Sequence, residues 1–198
     1  MKIHTVIQKS PEWFAIRSLK MTASHAQAIA TAGKGLESYT DEMLAEHFSS
    51  ATKEIFSNEH TERGNELEAT ARDIYSLEND VEVSEVCFIE HSEYVGCSPD
   101  GLVGEKGGIE IKALSDVIYF KHLMNGESEI ESKYIWQIQM NLLITGREWW
   151  DLVCYNPNFK KSMFIHRFYP DKEKFEKLLK GFKVGEKIIK EKVEKYNK

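Results

Sequence analysis

Residues 96–112 read GCSPDGLVGEKGGIEIK: a Pro-Asp-Gly turn, further glycines at 104, 107 and 108, then the alternating run Ile109-Glu110-Ile111-Lys112. Side chains at i and i+2 of a strand share a face. Glu110 and Lys112 therefore project together, while Ile109 and Ile111 anchor the strand from the core side. Asp100 closes the preceding strand, and the glycines suit a tight hairpin that brings Asp100 beside Glu110. Two carboxylates in one small space repel and raise a pKa unless a cation lies between them, and hard oxygen ligands select Mg²⁺ or Mn²⁺. Mg²⁺ keeps waters for a phosphate-bearing substrate, and an adjacent lysine can orient or help deprotonate one of them. The unit suits phosphodiester hydrolysis. A Glu-x-Lys on an exposed strand face and a Pro-Asp-Gly turn are also common in ordinary hairpins, so these letters alone leave both readings open.

Outward from this hairpin the chain alternates helical and β-rich segments. Ser10-Pro11-Glu12 has the form of a helix start, with serine at the N-cap and proline at the first helical position, and predicts a short helix to about Leu19. Thr22-Ala23-Ser24 precedes the alanine-rich SHAQAIATA and predicts a second helix that stops at Gly33. A third is expected over Tyr39–Phe56, with Met43, Leu44, His47 and Phe48 on one side. From Arg63 to Glu78, Leu67, Ala71, Ile74 and Tyr75 form a stripe at helical spacing. VEVSEVCFIE, SEYVGCSPDG and GGIEIKAL predict three strands in antiparallel succession. Tyr134–Thr145 is apolar nearly all round and ends at Gly146, as a helix packed against the sheet would. WWDLVCYN and SMFIHRF are two more strands around Asn156-Pro157-Asn158. The last segment is an amphipathic helix with a break expected near Gly185. The fold class expected is α/β: a central mixed sheet flanked by helices.

The bulk composition agrees with this. At 198 residues, 41% hydrophobic and 29% charged, the chain suits one soluble domain, residues 1–198, with no repeat or linker. No run approaches the roughly 18 apolar residues of a membrane span, and the start MKIHTVIQKSPEW lacks the apolar core of a signal peptide. A cytoplasmic location without membrane association is expected. Three cysteines, Cys87, Cys97 and Cys154, with no Cys-x-x-Cys spacing, argue against a disulfide framework, a zinc knuckle or an iron–sulfur cluster. The net charge of −6 argues against a broadly basic nucleic-acid-binding surface. It is uneven, however: residues 171–198 carry ten lysines against six acids, so a local basic face is compatible with an acidic protein.

Three further features bear on chemistry. Glu68 stands one position round its helix from Leu67, at the edge of the buried stripe, where a carboxylate could serve a second metal; read alone, it belongs to a solvated acidic face with Glu62, Glu66 and Glu78. Gln137 and Gln139 lie within an apolar helix, where buried amides need partners, so Gln137 either faces the site or makes a structural hydrogen bond. Arg17, Thr22 and Ser24 combine an arginine with hydroxyls at a helix start, an arrangement that can grip phosphate; alone, the hydroxyls read as an N-cap and Arg17 as a surface charge.

Taken together, these residues resemble a known family. Ser98-Pro99-Asp100 with Glu110-Ile111-Lys112 is similar to the PD-(D/E)xK nuclease motif. PEWFAIRSLKMTAS (11–24), RGNELEATAR (63–72), GCSPDGL (96–102), GIEIKAL (108–114) and WQIQMNLLITGREWWDLVCYNP (136–157) resemble, in order, the phage lambda exonuclease and YqaJ-type viral recombinase nucleases. The resemblance implies a restriction-endonuclease-like core. It also implies metal ligation by Asp100, Glu110 and the main-chain carbonyl of Ile111, with Glu68 serving a second ion. Lys112 becomes the catalytic lysine and Gln137 a glutamine near the attacking water, while Arg17, Ser24 and Ser98 hold the 5′-phosphate of a DNA end. The implied activity is Mg²⁺-dependent 5′-to-3′ exonucleolysis of linear double-stranded DNA, with two ions and Mn²⁺ able to substitute. The implied setting is a ring-shaped homotrimer working with a single-strand annealing protein in phage recombination, in the bacterial host cytoplasm. Two departures stand out. Ser115–Lys133 offers no match to a further arginine of the family, Lys121 or His122 being the nearest basic residues. No apolar wedge precedes Arg63, where Thr61 and Glu62 stand. A restriction-like endonuclease of the same core and a non-catalytic DNA-end-binding module are the rival readings.

Overall fold

A computed structural model describes residues 2–8, 10–49 and 59–198, with the backbone alone at 59–63 and 65. Its strands are β1 (Lys2–His4), β2 (Met21–Thr22), β3 (Val83–Ser84), β4 (Phe88–Ser92), β5 (Val95–Cys97), β6 (Gly101–Val103), β7 (Gly107–Ala113), β8 (Trp149–Tyr155) and β9 (Met163–Phe168). Its α-helices are α1 (Pro11–Arg17), α2 (Ala26–Thr31), α3 (Lys34–Phe48), α4 (Glu59–Asn79), α5 (Asp116–Asn125), α6 (Ser132–Thr145) and α7 (Lys172–Tyr196).

The β-rich middle of the chain forms two mixed sheets where one was expected, ordered β1-β4-β5-β2 and β3-β6-β7-β8-β9. VEVSEVCFIE, which reads as one strand, divides: Val83 pairs with Val103 in the five-stranded sheet, while Ile89 pairs with Cys97 in the other. The chain returns to the larger sheet through Ser98-Pro99-Asp100. Proline has no N–H to continue a ladder, and the strand stops there. The expected hairpin forms next, Gly101 opposite Ile109 and Val103 opposite Gly107, around Gly104 at φ +49°, a conformation that glycine adopts without steric cost. β7 then runs parallel to β8, with Glu110 opposite Leu152, and α5 and α6 make the crossover that parallel pairing requires.

Each face of the larger sheet is covered. Ile109, Ile111, Val153 and Tyr155 pack with Ala71 and Tyr75 of α4, and Leu67 and Ile74 complete the predicted stripe. Leu152, Cys154 and Trp150 join Ile138, Met140 and Leu142 of α6 and Leu178, Phe182 and Ile189 of α7 in the larger core. Gly107 and Gly108 leave room for tryptophan rings, since an added Cβ would lie 2.1 Å from Trp149 and 2.4 Å from Trp150.

Several local expectations change. Thr22 caps no helix through its side chain; Ala23–His25 form a 3₁₀ turn before the six-residue α2. Helix α3 begins at Lys34 rather than Tyr39 and ends at Phe48, and residues 50–56 of that expectation lie outside the described residues. Helix α7 is continuous through Gly185. That glycine is a contact, not a break, because a Cβ there would lie 2.3 Å from Met21 Sδ. In the segment without a match, α5 buries Tyr119 and His122 but exposes Val117, Ile118, Phe120 and Met124, so no clean apolar stripe marks it. Among the described residues no helix is long and apolar enough to cross a membrane.

Candidate active site

The β6–β7 hairpin and α6 together enclose an acid pair. Asp100, half-buried at the start of β6, accepts a hydrogen bond from the Ile111 N–H at 2.7 Å. Glu110, only 1% exposed, points away from α4 into the α6 side of the sheet. Lys112 Nζ donates to its Oε1 at 2.7 Å and Gln137 Nε2 to the same oxygen at 2.5 Å. Asn141 Nδ2 donates to Oε2 at 3.2 Å. A buried carboxylate costs several kcal/mol unless paired and hydrogen-bonded, and these three donors supply that compensation. Four sequence-predicted residues, Asp100, Glu110, Lys112 and Gln137, therefore meet at one place.

Burial pushes the Glu110 carboxyl above the ordinary carboxylate range, and the neighbouring Asp100 charge pushes it further. Burial likewise raises Asp100, against the opposing pull of Lys112 and the Ile111 N–H. For Lys112, burial works to lower the pKa, but Glu110 and Asp100 more than offset it and the ammonium is held charged. The site thus carries more buried negative charge than one lysine balances. A hard divalent cation fits this donor set. In an extended strand the N–H and C=O of one residue point the same way; with its N–H on Asp100, Ile111 directs its carbonyl toward the same edge.

Glu68 stands apart from the pair. Its Oε1 lies 3.3 Å from Arg72 Nη2, although its charge still contributes to raising Glu110. Among the described residues no three His, Cys, Asp or Glu side chains gather into one cluster.

The second group of predicted residues lies at the other end of the Ser98-Pro99-Asp100 link. Arg17 Nη1 donates to Ser98 Oγ at 2.9 Å, and its guanidinium stacks 4.1 Å above the Trp13 ring. Burial lowers the Arg17 pKa from its ordinary value. β2 runs parallel to β5 with Thr22 opposite Gly96, so Ser24 and Ser98 each stand two residues beyond that pair, at the same end. Ser24 Oγ bonds with Thr22 Oγ1 at 3.3 Å and His25 Nδ1 at 3.2 Å. Lys121 is exposed on α5, whereas His122 is buried with its ring 5.7 Å from that of Phe164, which removes His122 as a surface cation. Thr61 and Glu62 lie outside the described side chains.

Four residues escaped the sequence reading. Asn141 stands four positions after Gln137, on the same helix face, a spacing that could have found it. Tyr134 lies 5.2 Å under Lys112 Nζ. Tyr39 bonds the Thr22 N–H at 3.1 Å and stacks on His25 at 3.8 Å. Arg72 Nε donates to the Asp100 carbonyl at 2.9 Å, and no local pattern announces that contact. Gln139, by contrast, is structural: it donates to the Tyr169 carbonyl and accepts from the Asp171 N–H, both at 2.9 Å.

Comparison with known proteins places the chain in a family. A search among curated proteins returns no match. The crystal structure of LHK-Exo in complex with dAMP superposes with a TM-score of 0.84 at 30% identity, covering 94% of this chain and 96% of that one. That of LHK-Exo, an alkaline exonuclease from Laribacter hongkongensis, superposes at 0.79 with 31% identity, covering 95% and 98%. A phage-related exonuclease from Haemophilus somnus 129PT, 15% identical with a TM-score of 0.66 over 89% and 96% of the two chains, shares the fold. The profile of the YqaJ-like viral recombinase domain matches residues 12–148, and the chain belongs to that family.

Proposed function

We propose that the protein is a Mg²⁺-dependent nuclease that degrades one strand of linear double-stranded DNA from a 5′-phosphorylated end, in the 5′-to-3′ direction, leaving a 3′ single strand. Family membership and two alkaline exonuclease structures at 30% and 31% identity support a nuclease. The observation that carries the finer reading is the Ser98-Pro99-Asp100 link. One end is hydrogen-bonded to Arg17 and the other end, Asp100, holds the Ile111 N–H beside Glu110. A terminal phosphate gripped at the first would leave the adjoining phosphodiester at the second. A relative in complex with dAMP, a mononucleotide, fits stepwise release from an end.

Asp100, Glu110 and the Ile111 carbonyl would hold one divalent ion, and Glu68 would contribute to a second; Mn²⁺ would substitute. Bound cations supply Lewis-acid polarisation of the phosphodiester and lower the pKa of water. Lys112, held charged, donates hydrogen bonds and offsets charge building on the phosphoryl oxygens. Gln137, already on Glu110 Oε1, orients the attacking water by its amide. Water adds to phosphorus, the P–O3′ bond breaks, and the departing 3′-oxygen takes a proton. The remaining strand then carries a new 5′-phosphate for Arg17, Ser24 and Ser98. A ring-shaped homotrimer, a single-strand annealing partner and action in the host cytoplasm complete the proposal.

The test is a time course on end-labelled linear duplex. Mononucleotides should appear with Mg²⁺ and none with EDTA, and closed circular DNA should survive. Cutting of the circle would favour the endonuclease, and binding of ends without release of nucleotides would favour a non-catalytic module.

A further inference from the structure

Arg72 occupies a singular position in the fold. After β3 the chain crosses between the two sheets twice more, once from β3 to β4 and once from β5 to β6. Arg72 reaches a group in each crossing: Nη1 lies 2.8 Å from Glu85 Oε1 in the first, and Nε donates to the Asp100 carbonyl at 2.9 Å in the second. Its Nη2 meets Glu68, one turn earlier on its own helix, at 3.3 Å. Only 13% of the side chain is exposed. A helix-surface ion pair needs one of these contacts; three contacts made by three nitrogens of a planar fork form a fixed joint.

We propose that Arg72 is a positioning residue that sets the spacing between the Glu68 carboxylate and the Asp100–Glu110 pair, and with it the binding of a second divalent cation. This role rests on the metal-dependent reading above. The guanidinium carries α4 and the Asp100 loop as one unit, so the distance from Glu68 to the acid pair is set by this joint and by neither element alone. It also holds Glu68 in place before a cation arrives. Lysine would keep the charge but not the fork, because an ammonium is a compact point donor on a flexible stem.

The test is a Mn²⁺ titration of the full chain, read by the spectroscopic signal of free Mn²⁺, on wild type, D100A, R72A, R72K and E68A with and without R72A. Both Arg72 variants should unfold cooperatively and keep the tighter ion. They should weaken the other about tenfold or more, the usual cost of removing a group that orients a ligand. The Mg²⁺ concentration needed for hydrolysis should rise in step, with KM for DNA unchanged. E68A/R72A should bind Mn²⁺ no more weakly than E68A, since the two act as one unit. Wild-type Mn²⁺ binding in R72A and R72K, with only a lower unfolding midpoint, would reduce Arg72 to a structural tie and overturn the role. Equal binding in wild type and D100A would overturn the metal site itself, and the role of Arg72 with it.

Discussion

Asp151 and Glu110 are both 1% exposed and stand on neighbouring strands of one sheet, yet the protein treats them differently. Asp151 faces α4. Arg167 grips it at 2.7 and 2.8 Å and Tyr75 donates its hydroxyl at 2.7 Å, while the guanidinium stacks 3.7 Å over Trp149. One charge meets one countercharge, a hydroxyl adds a third hydrogen bond, and the unit is balanced. Glu110 faces α6 with as many donors but a second acid at its side. Its hydrogen bonds are met while its charge is in excess, the imbalance that the proposed cation would relieve. A buried acid therefore marks a site through imbalance with its neighbours, not through burial.

Removing one charge from each acid should separate the two roles most sharply. Glu110→Gln should cut hydrolysis at least about a thousandfold, roughly 4 kcal/mol of barrier, without lowering the thermal midpoint of the metal-free protein. Asp151→Asn should leave turnover per folded molecule unchanged and cost about 2 kcal/mol in urea unfolding, by taking the charged acceptor away from Arg167 and Tyr75. An unstable Glu110→Gln or an inactive but stable Asp151→Asn would break the comparison. The amides of α6 extend it. Gln137→Ala should lower kcat about a hundredfold with little change in stability. Gln139→Ala should instead cost about 1 kcal/mol of stability with normal kcat.

Arg17→Ala should slow cleavage of 5′-phosphorylated ends about tenfold and of 5′-hydroxyl ends much less; equal losses would remove the phosphate pocket. The smallest effect is on pH. The carboxyl of Glu110 is raised on folding by burial and by Asp100, so the folded state binds the extra proton. Its stabilising effect is full below the unfolded carboxylate pKa and is lost as pH rises toward the folded value. In EDTA the wild type should therefore lose thermal stability relative to Glu110→Gln between pH 5 and neutrality, a difference that cancels the opposing contribution of the histidines held below their usual pKa, and Mg²⁺ should restore it. A difference of the opposite sign over that window would contradict the excess of buried negative charge.

Much of this was legible locally. The i, i+2 alternation of Glu110 and Lys112, the hairpin glycines and the stripe of α4 are short-range patterns, and each appears where it was expected. The division of VEVSEVCFIE between two sheets was not legible, because each of its halves is a good strand and pairing partners are chosen by distant segments. The α5 helix hid behind exposed apolar residues that blur its period. At Gly185 the sequence suggested a break, whereas the contact with Met21 decides its use. The residue pair Gln137 and Gln139 shows the limit most plainly: two identical amides two positions apart, one on Glu110 and one joining α6 to the start of α7.

By itself, then, the sequence determined the acid–acid–lysine hairpin and the helix carrying Glu68, since both follow from periodicity and turn chemistry within a few residues. Only the tertiary structure decided that Asp100 lies at a crossing between sheets, that α6 closes over Glu110 with Gln137 and Asn141, and that Arg72 ties the helix of Glu68 to the Asp100 carbonyl. Those contacts join residues 27 to 31 positions apart. Burial and charge balance, which turn a common motif into a site, exist only once such segments are packed together.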